Sequence, residues 1–256
     1  MIEIPSNKIN DWKSRKNGKL FISNEKFHRN AELFLSNFPD LKNQVSLSLT
    51  KEVENIKYYV TKKNNKFFKR IKADSLNKSI KNNLSRISDI KFEVEYKEGT
   101  LLDSPKTGGF DFALYDEEHN LVNFRNYCFG RRAVYNGQEV WDNELLKREE
   151  WADIANRLNL LNNNQKGEDI THPKYKPTII GEVQFGNWGL LSYDLLKVLH
   201  LDNLVDLDLL IYVTASGELN QEISDGTVNY YKAEEIIDKY SNILKVPIWL
   251  LGVDIR

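Results

Sequence analysis

The sequence predicts an α/β fold with a mainly helical N-terminal region, on three observations. In the C-terminal part, apolar strand-like runs alternate with helix-like segments, the pattern of an α/β sheet. Residues 91–135 read as strands, with 90–96 alternating at period two as half-buried strands do. Residues 1–90 carry apolar residues at helical spacing between Asn- and Lys-rich connectors. A chain of 256 residues holds one large domain or two small ones. The division expected here is a partly basic helical region, 1–90, followed by a domain over 91–256.

In the first region, 27–38 places Ala31, Leu33, Phe34 and Leu35 at helix-like spacing. Residues 61–81 are basic, with Lys62, Lys63, Lys66, Lys69, Arg70, Lys72, Lys78 and Lys81 opposed only by Asp74. Phe67 and Phe68 sit inside this run, and basic residues interleaved with aromatics can track phosphates. The plainer alternative is a solvated helix face anchored by the two phenylalanines. Further on, Phe92, Val94 and Tyr96 alternate with charged residues, and Phe110-Asp111-Phe112-Ala113-Leu114-Tyr115 leads to a turn at 116–120. Leu121-Val122-Asn123-Phe124 then returns, which reads as a hairpin. Residues 141–161 are a helix candidate, and 162–169 a polar linker.

The stretch Thr178-Ile179-Ile180-Gly181-Glu182-Val183-Gln184-Phe185 reads as a strand between Pro177 and Gly186. Residues two apart share a face, so Thr178, Ile180, Glu182 and Gln184 point one way and Ile179, Val183 and Phe185 the other. A carboxylate beside a carboxamide is poor core material unless both find partners. It suits a hard cation such as Mg²⁺, which takes oxygen ligands; a solvated strand face is the alternative. A helix over 190–200 follows, apolar on more than one side, which fits core burial or a dimer interface. Then come a strand over 205–213, a polar loop over 214–229, a helix over 230–244 and a strand over 246–253.

Composition narrows the classes. The net charge of −1 gives no global basic signal, and no apolar run is long enough to span a bilayer. The first residues do not form a signal peptide. Cys128 is the only cysteine, which rules out an internal disulfide or a thiolate zinc cluster. The histidines are scattered and form no paired metal motif. A cytoplasmic protein is expected.

Glu182-Val183-Gln184-Phe185-Gly186-Asn187-Trp188, followed by Ser192-Tyr193-Asp194-Leu195, resembles the core of the BglII/BstYI type II restriction endonucleases. Ser224-Asp225-Gly226, Tyr230-Tyr231, Val246-Pro247 and Leu251-Gly252 follow in the family order. The resemblance covers about residues 165–256 and leaves 1–160 unassigned. It implies the PD-(D/E)XK nuclease fold, a central mixed sheet flanked by helices, in the branch with Gln at the motif lysine.

The resemblance further implies Mg²⁺-dependent hydrolysis of double-stranded DNA at a short palindromic site, GATC-centred in the family, by a homodimer. Glu182 and the Val183 carbonyl would be metal ligands, and Gln184 would orient water or phosphate. A neutral amide cannot be a general base near pH 7. The family spacing for the second carboxylate lands on Pro173. Asp169 is the nearest candidate for catalysis and metal binding, Glu168 could substitute, and Asp111, between two phenylalanines, is the rival. Asn187, Ser224, Asp225, Gly226 and Asn229 would face base edges, with Lys66, Lys69 and Arg70 on the basic segment and Tyr193 and Lys197 near phosphate. Two other readings remain open: a non-cleaving DNA-binding module of the same fold, and a protein-interaction domain.

Overall fold

The computed structural model describes residues 1–103, 109–161, 166–202, 207–223 and 226–256. The chain forms two compact units, one of residues 1–90, 180–200 and 208–256, the other of 91–179 and 201–207.

The first unit carries a mixed sheet in the order β2 (Glu52–Val53), β1 (Gly18–His28), β10 (Ile248–Ile255), β9 (Leu209–Ala215), β8 (Ile179–Gln184). β1 runs antiparallel to β10 from Leu20↔Ile255 to His28↔Ile248, and β10 runs parallel to β9. Every residue of β9 and β10 is buried, because both faces of these central strands are covered. The parallel pair needs a crossover, supplied by α9 (Gly217–Glu222) and α10 (Tyr230–Lys239). Buried Asp254 on β10 starts α9 by accepting the amides of Glu218 and Leu219 at 3.1 and 2.8 Å. Gly217 lies at φ +52°, and a Cβ there would fall 2.0 Å from the Asp254 carboxylate. α8 (Gly189–Asp202) follows β8.

Residues 1–90 are less helical than the sequence predicts. They contain α1 (Ile9–Ser14), α2 (Ala31–Asn37), α3 (Pro39–Ser48) and α4 (Ala73–Leu84), but also β1, β2 and a hairpin of β3 (Tyr58–Lys63) and β4 (Lys66–Ile71). The basic run is therefore not one helix face. Asn64 and Asn65 both take φ > 0, the two-residue turn that reverses a hairpin, and they divide the first lysines between β3 and β4, while Lys78 and Lys81 lie on α4. Trp12 of α1 ties this hairpin down, its indole N–H donating to Tyr59 O at 3.0 Å and Arg70 O at 3.3 Å.

In the second unit, β5 (Lys91–Lys97) pairs antiparallel with β7 (Phe110–Leu114) on one side and β6 (Thr100–Asp103) on the other. The expected return strand at 121–124 lies instead within α5 (Glu117–Phe129). Asp116 caps this helix by accepting the His119 amide at 3.0 Å. Leu121, Phe124, Arg125, Cys128 and Phe129 are buried at helical spacing, a period that four residues are too few to reveal. The 141–161 helix is two, α6 (Gly137–Lys147) and α7 (Glu149–Arg157). Between them Arg148 leaves helical geometry at φ −132°, ψ 88°, and its guanidinium binds Asp103 at 2.6 Å and Glu144. Phe124 packs against Trp141 and Trp151 at centroid distances of 5.6 and 5.3 Å. Among the described residues no helix is long and apolar enough to cross a membrane.

Candidate active site

β8 brings Glu182 into the interior of the first unit. Thr178, Ile179, Ile180 and Val183 are buried, and so is Glu182, at 4% exposure. A solvated strand face is thereby excluded. A buried carboxylate requires a cation or donors, and α8 provides one. Lys197 Nζ lies 2.5 Å from Glu182 Oε1 and 3.3 Å from Asp194 Oδ1. Burial disfavours the Lys197 ammonium, but the carboxylates of Glu182 and Asp194 outweigh it and raise its pKa above that of an ordinary lysine.

Asp194, itself buried, links the parts of this centre. Its Oδ2 accepts from Gln184 Nε2 at 3.0 Å and from the Tyr212 hydroxyl of β9 at 3.2 Å. Gln184 Oε1 accepts the Gly186 amide at 2.8 Å, so the carboxamide is held at both ends. The Gln184 carbonyl accepts from Thr214 Oγ1 at 3.0 Å. Among the described residues no group of three or more His, Cys, Asp or Glu side chains could hold a metal ion. Glu182 and Asp194 nevertheless direct two carboxylates at one cation, the Lys197 ammonium. The Glu182 carboxylate is a hard oxygen donor of the kind Mg²⁺ takes, and one or two carboxylates completed by waters and substrate phosphate suffice for that ion.

The sequence motif includes Asp194 only as a landmark and places Lys197 near phosphate rather than beside Glu182. The available signal was their i, i+3 spacing on an otherwise apolar helix, which puts both on one face. The same spacing rule divides α8 further. Leu191, Asp194, Leu195, Val198 and Leu201 are buried, whereas Leu190, Tyr193 and Leu196 form an exposed stripe.

The turn after β8 meets the segment before α10. Trp188 N donates to Gly226 O at 3.0 Å, Val228 N donates to Gly186 O at 2.8 Å, and Asn187 bridges Thr227. Asn187 and Gly226 are thus brought together. The Asn187 side chain accepts the Gly189 amide at 3.0 Å, and Asn229 caps α10 through Lys232 N at 3.1 Å. Ser224 and Asp225 lie outside the described residues.

The basic positions are partly committed elsewhere. Lys66 is exposed and paired with Glu3 at 2.7 Å. Lys69 lies 4.7 Å from the Trp12 ring centre and 3.7 Å from Glu222. Arg70 is buried and donates to the Gln221 carbonyl at 2.8 Å, a position that supports the hairpin. In the second unit, Asp169 accepts the Arg131 amide at 3.0 Å beside the Arg125 guanidinium, which donates to the Glu168 carbonyl at 2.5 Å. Asp111 is half-buried on β7, between buried Phe110 and Phe112.

A mixed sheet with a buried acidic centre at the end of β8 is the frame of a nuclease of the restriction-endonuclease type. The family model for restriction endonuclease BglII/BglIII matches residues 24–253, and the chain belongs to that family. Membership makes it a type II site-specific nuclease. It also extends the relationship through residues 24–160, which the sequence motifs left unassigned. Among solved structures, restriction endonuclease BglII complexed with a DNA 16-mer is similar at 12% identity and TM-score 0.40, over 91% of this chain and 75% of that one. Free BglII is similar at 14% identity and TM-score 0.38, over 91% and 78%. The curated proteins gave no match.

Proposed function

We propose that this protein hydrolyses double-stranded DNA with Mg²⁺ at a short palindromic sequence, and that it does so as a homodimer. The observation that carries this reading is Glu182, a buried carboxylate at the end of β8, facing a cation that it shares with Asp194. Glu182 and the Val183 carbonyl would hold the ion. A bound divalent ion would lower the pKa of the attacking water and offset charge on the phosphate. Gln184, fixed between Asp194 and the Gly186 amide, would present its polar edge in one orientation, as positioning of water or phosphate requires. Asn187 and Gly226, on segments linked through Trp188 and Thr227, would face base edges together with Ser224, Asp225 and Asn229. The family's GATC-centred site is the sequence to try first.

A two-fold dimer matches a palindrome. The exposed stripe of α8 supports it. Leu196 and Leu199 border an apolar groove with Tyr240, Ile243 and Leu244, and Leu196 and Ile243 are more than half exposed. A monomer by sedimentation at micromolar concentration would overturn this part.

The deciding experiment is digestion of phage DNA by the wild type and by Glu182→Ala, with Mg²⁺ and with EDTA. Discrete fragments that need both Mg²⁺ and Glu182 are expected, and sequencing their ends gives the site. Glu182→Ala should lose several kcal/mol of transition-state stabilisation, a rate loss of about 10³-fold or more. Salt-sensitive DNA retention without cleavage by the wild type would replace the nuclease with a binding module.

A further inference from the structure

Gln184 stands where the resemblance places the motif lysine, and it is neutral. A full positive charge nonetheless lies in the centre, because Lys197 reaches it from α8 and contacts Glu182 at 2.5 Å. Asp194 holds both groups at once, with Oδ1 3.3 Å from Lys197 and Oδ2 3.0 Å from Gln184. Tyr212 donates to the same Oδ2, so the bracket is anchored to β9. Charge and carboxamide have therefore been assigned to different elements, with one aspartate fixing both.

We propose that Lys197 is the resident cation of this active site, a positioning residue that neutralises and orients Glu182 from α8 and replaces the charge that Gln184 lacks. The inference rests on the nuclease reading above. It has a consequence that does not depend on cleavage. Lys197 occupies the Glu182 oxygen that a divalent ion would use, so lysine and ion compete. Removing the ammonium frees Glu182 for the ion while depriving the centre of a fixed charge near the phosphate.

The test compares the wild type, Lys197→Gln, and the double variant Gln184→Lys/Lys197→Gln, all checked for cooperative melting. Mn²⁺ binding to DNA-free protein is read by electron paramagnetic resonance, and cleavage by single-turnover kinetics. Lys197→Gln is expected to bind Mn²⁺ about tenfold more tightly, the scale on which groups contacting a ligand tune metal affinity. It should cleave about 10²-fold more slowly, the usual loss when one preorganised electrostatic group is removed. Returning the charge to the strand in the double variant should recover at least about tenfold of that rate. A purely structural ion pair predicts a lower melting temperature, unchanged Mn²⁺ affinity, wild-type single-turnover rate and no rescue, and that result would overturn the proposal. If Lys197→Gln fails to fold, Lys197→Met decides. It keeps an unbranched stem but removes the charge, so tighter Mn²⁺ binding and a slower rate in a folded protein support the role, and wild-type values for both refute it. A wild type that binds Mn²⁺ but cuts no DNA overturns the nuclease reading, and the Mn²⁺ comparison then decides Lys197 alone.

Discussion

Glu182 and Glu222 are buried glutamates in the same unit, and each faces a lysine. Their outcomes differ. Lys197 approaches Glu182 to 2.5 Å and is shared with Asp194, whereas Lys69 stands 3.7 Å from Glu222 and leans over Trp12. At the first site burial opposes the ammonium, but two carboxylates outweigh it and Lys197 stays charged. At the second site burial dominates, Lys69 pulls weakly the other way, Glu218 and Asp254 add repulsion, and the carboxyl is pushed up to about 7. The distance and number of opposite charges, not the residue types, decide whether a buried carboxylate serves as an anion. A carboxylate that holds a divalent ion binds it best when ionised, so Glu222, with its raised pKa, is the poorer candidate of the two.

The comparison is sharpened most by finding the carboxylate that works with Glu182. Asp169 already carries a local task, holding the Arg131 amide beside Arg125. Asp111 sits on a strand with its aromatic neighbours buried. Asp169→Ala and Asp111→Ala, assayed beside Glu182→Ala, separate the two candidates: the variant lacking the carboxylate that the chemistry needs should lose about 10³-fold or more in rate, and the other should keep Mg²⁺-dependent cleavage with a small loss of stability. Wild-type rates in both, in proteins with wild-type circular dichroism, would rule out both candidates. Asp194→Asn comes next in size. It leaves a side chain of the same shape but removes half of the charge shared by Lys197, so a cleavage loss of about 10- to 100-fold is expected. Wild-type rates would show that Asp194 only supports the fold.

How much of this was legible in the sequence depended on burial. β9 and β10 are continuous apolar runs because both faces are covered, and they stood out at once. β1 did not. Of its residues only Leu20 is buried, so its alternation is faint, and nothing local shows that it pairs with β10 more than two hundred residues away. Leu121–Phe124 was misread because the helical repeat emerges only when Arg125, Cys128 and Phe129 are included. Glu182 and Gln184 were readable from one strand. Asp194 and Lys197 were obscured by the leucines around them, since the reason for polar residues on an apolar helix is β8, an element outside the helix. The basic run at 61–81 misled for the opposite reason. Composition shows charge but not the turn at Asn64-Asn65, nor that Arg70 is buried.

Glu222 gives the smallest effect and the cleanest test of the comparison, because it changes stability rather than chemistry. Its folded pKa of about 7 lies above the ordinary glutamate value of 4.5, so the folded protein keeps a proton that the unfolded chain has lost. The resulting stabilisation is fully present below pH 4.5 and is lost as pH rises toward about 7. Glu222→Gln cannot ionise and should not show this decline. At pH 8 it should therefore be more stable than the wild type by at most about 3 kcal/mol, since each unit of pKa difference is worth about 1.4 kcal/mol. The loss of the Lys69 attraction reduces that figure. Urea unfolding at pH 5, 6, 7 and 8 measures it, and the two proteins should converge toward the acid end. Parallel stability curves would mean that Lys69 compensates for burial even at 3.7 Å, and the contrast between the two buried glutamates would collapse.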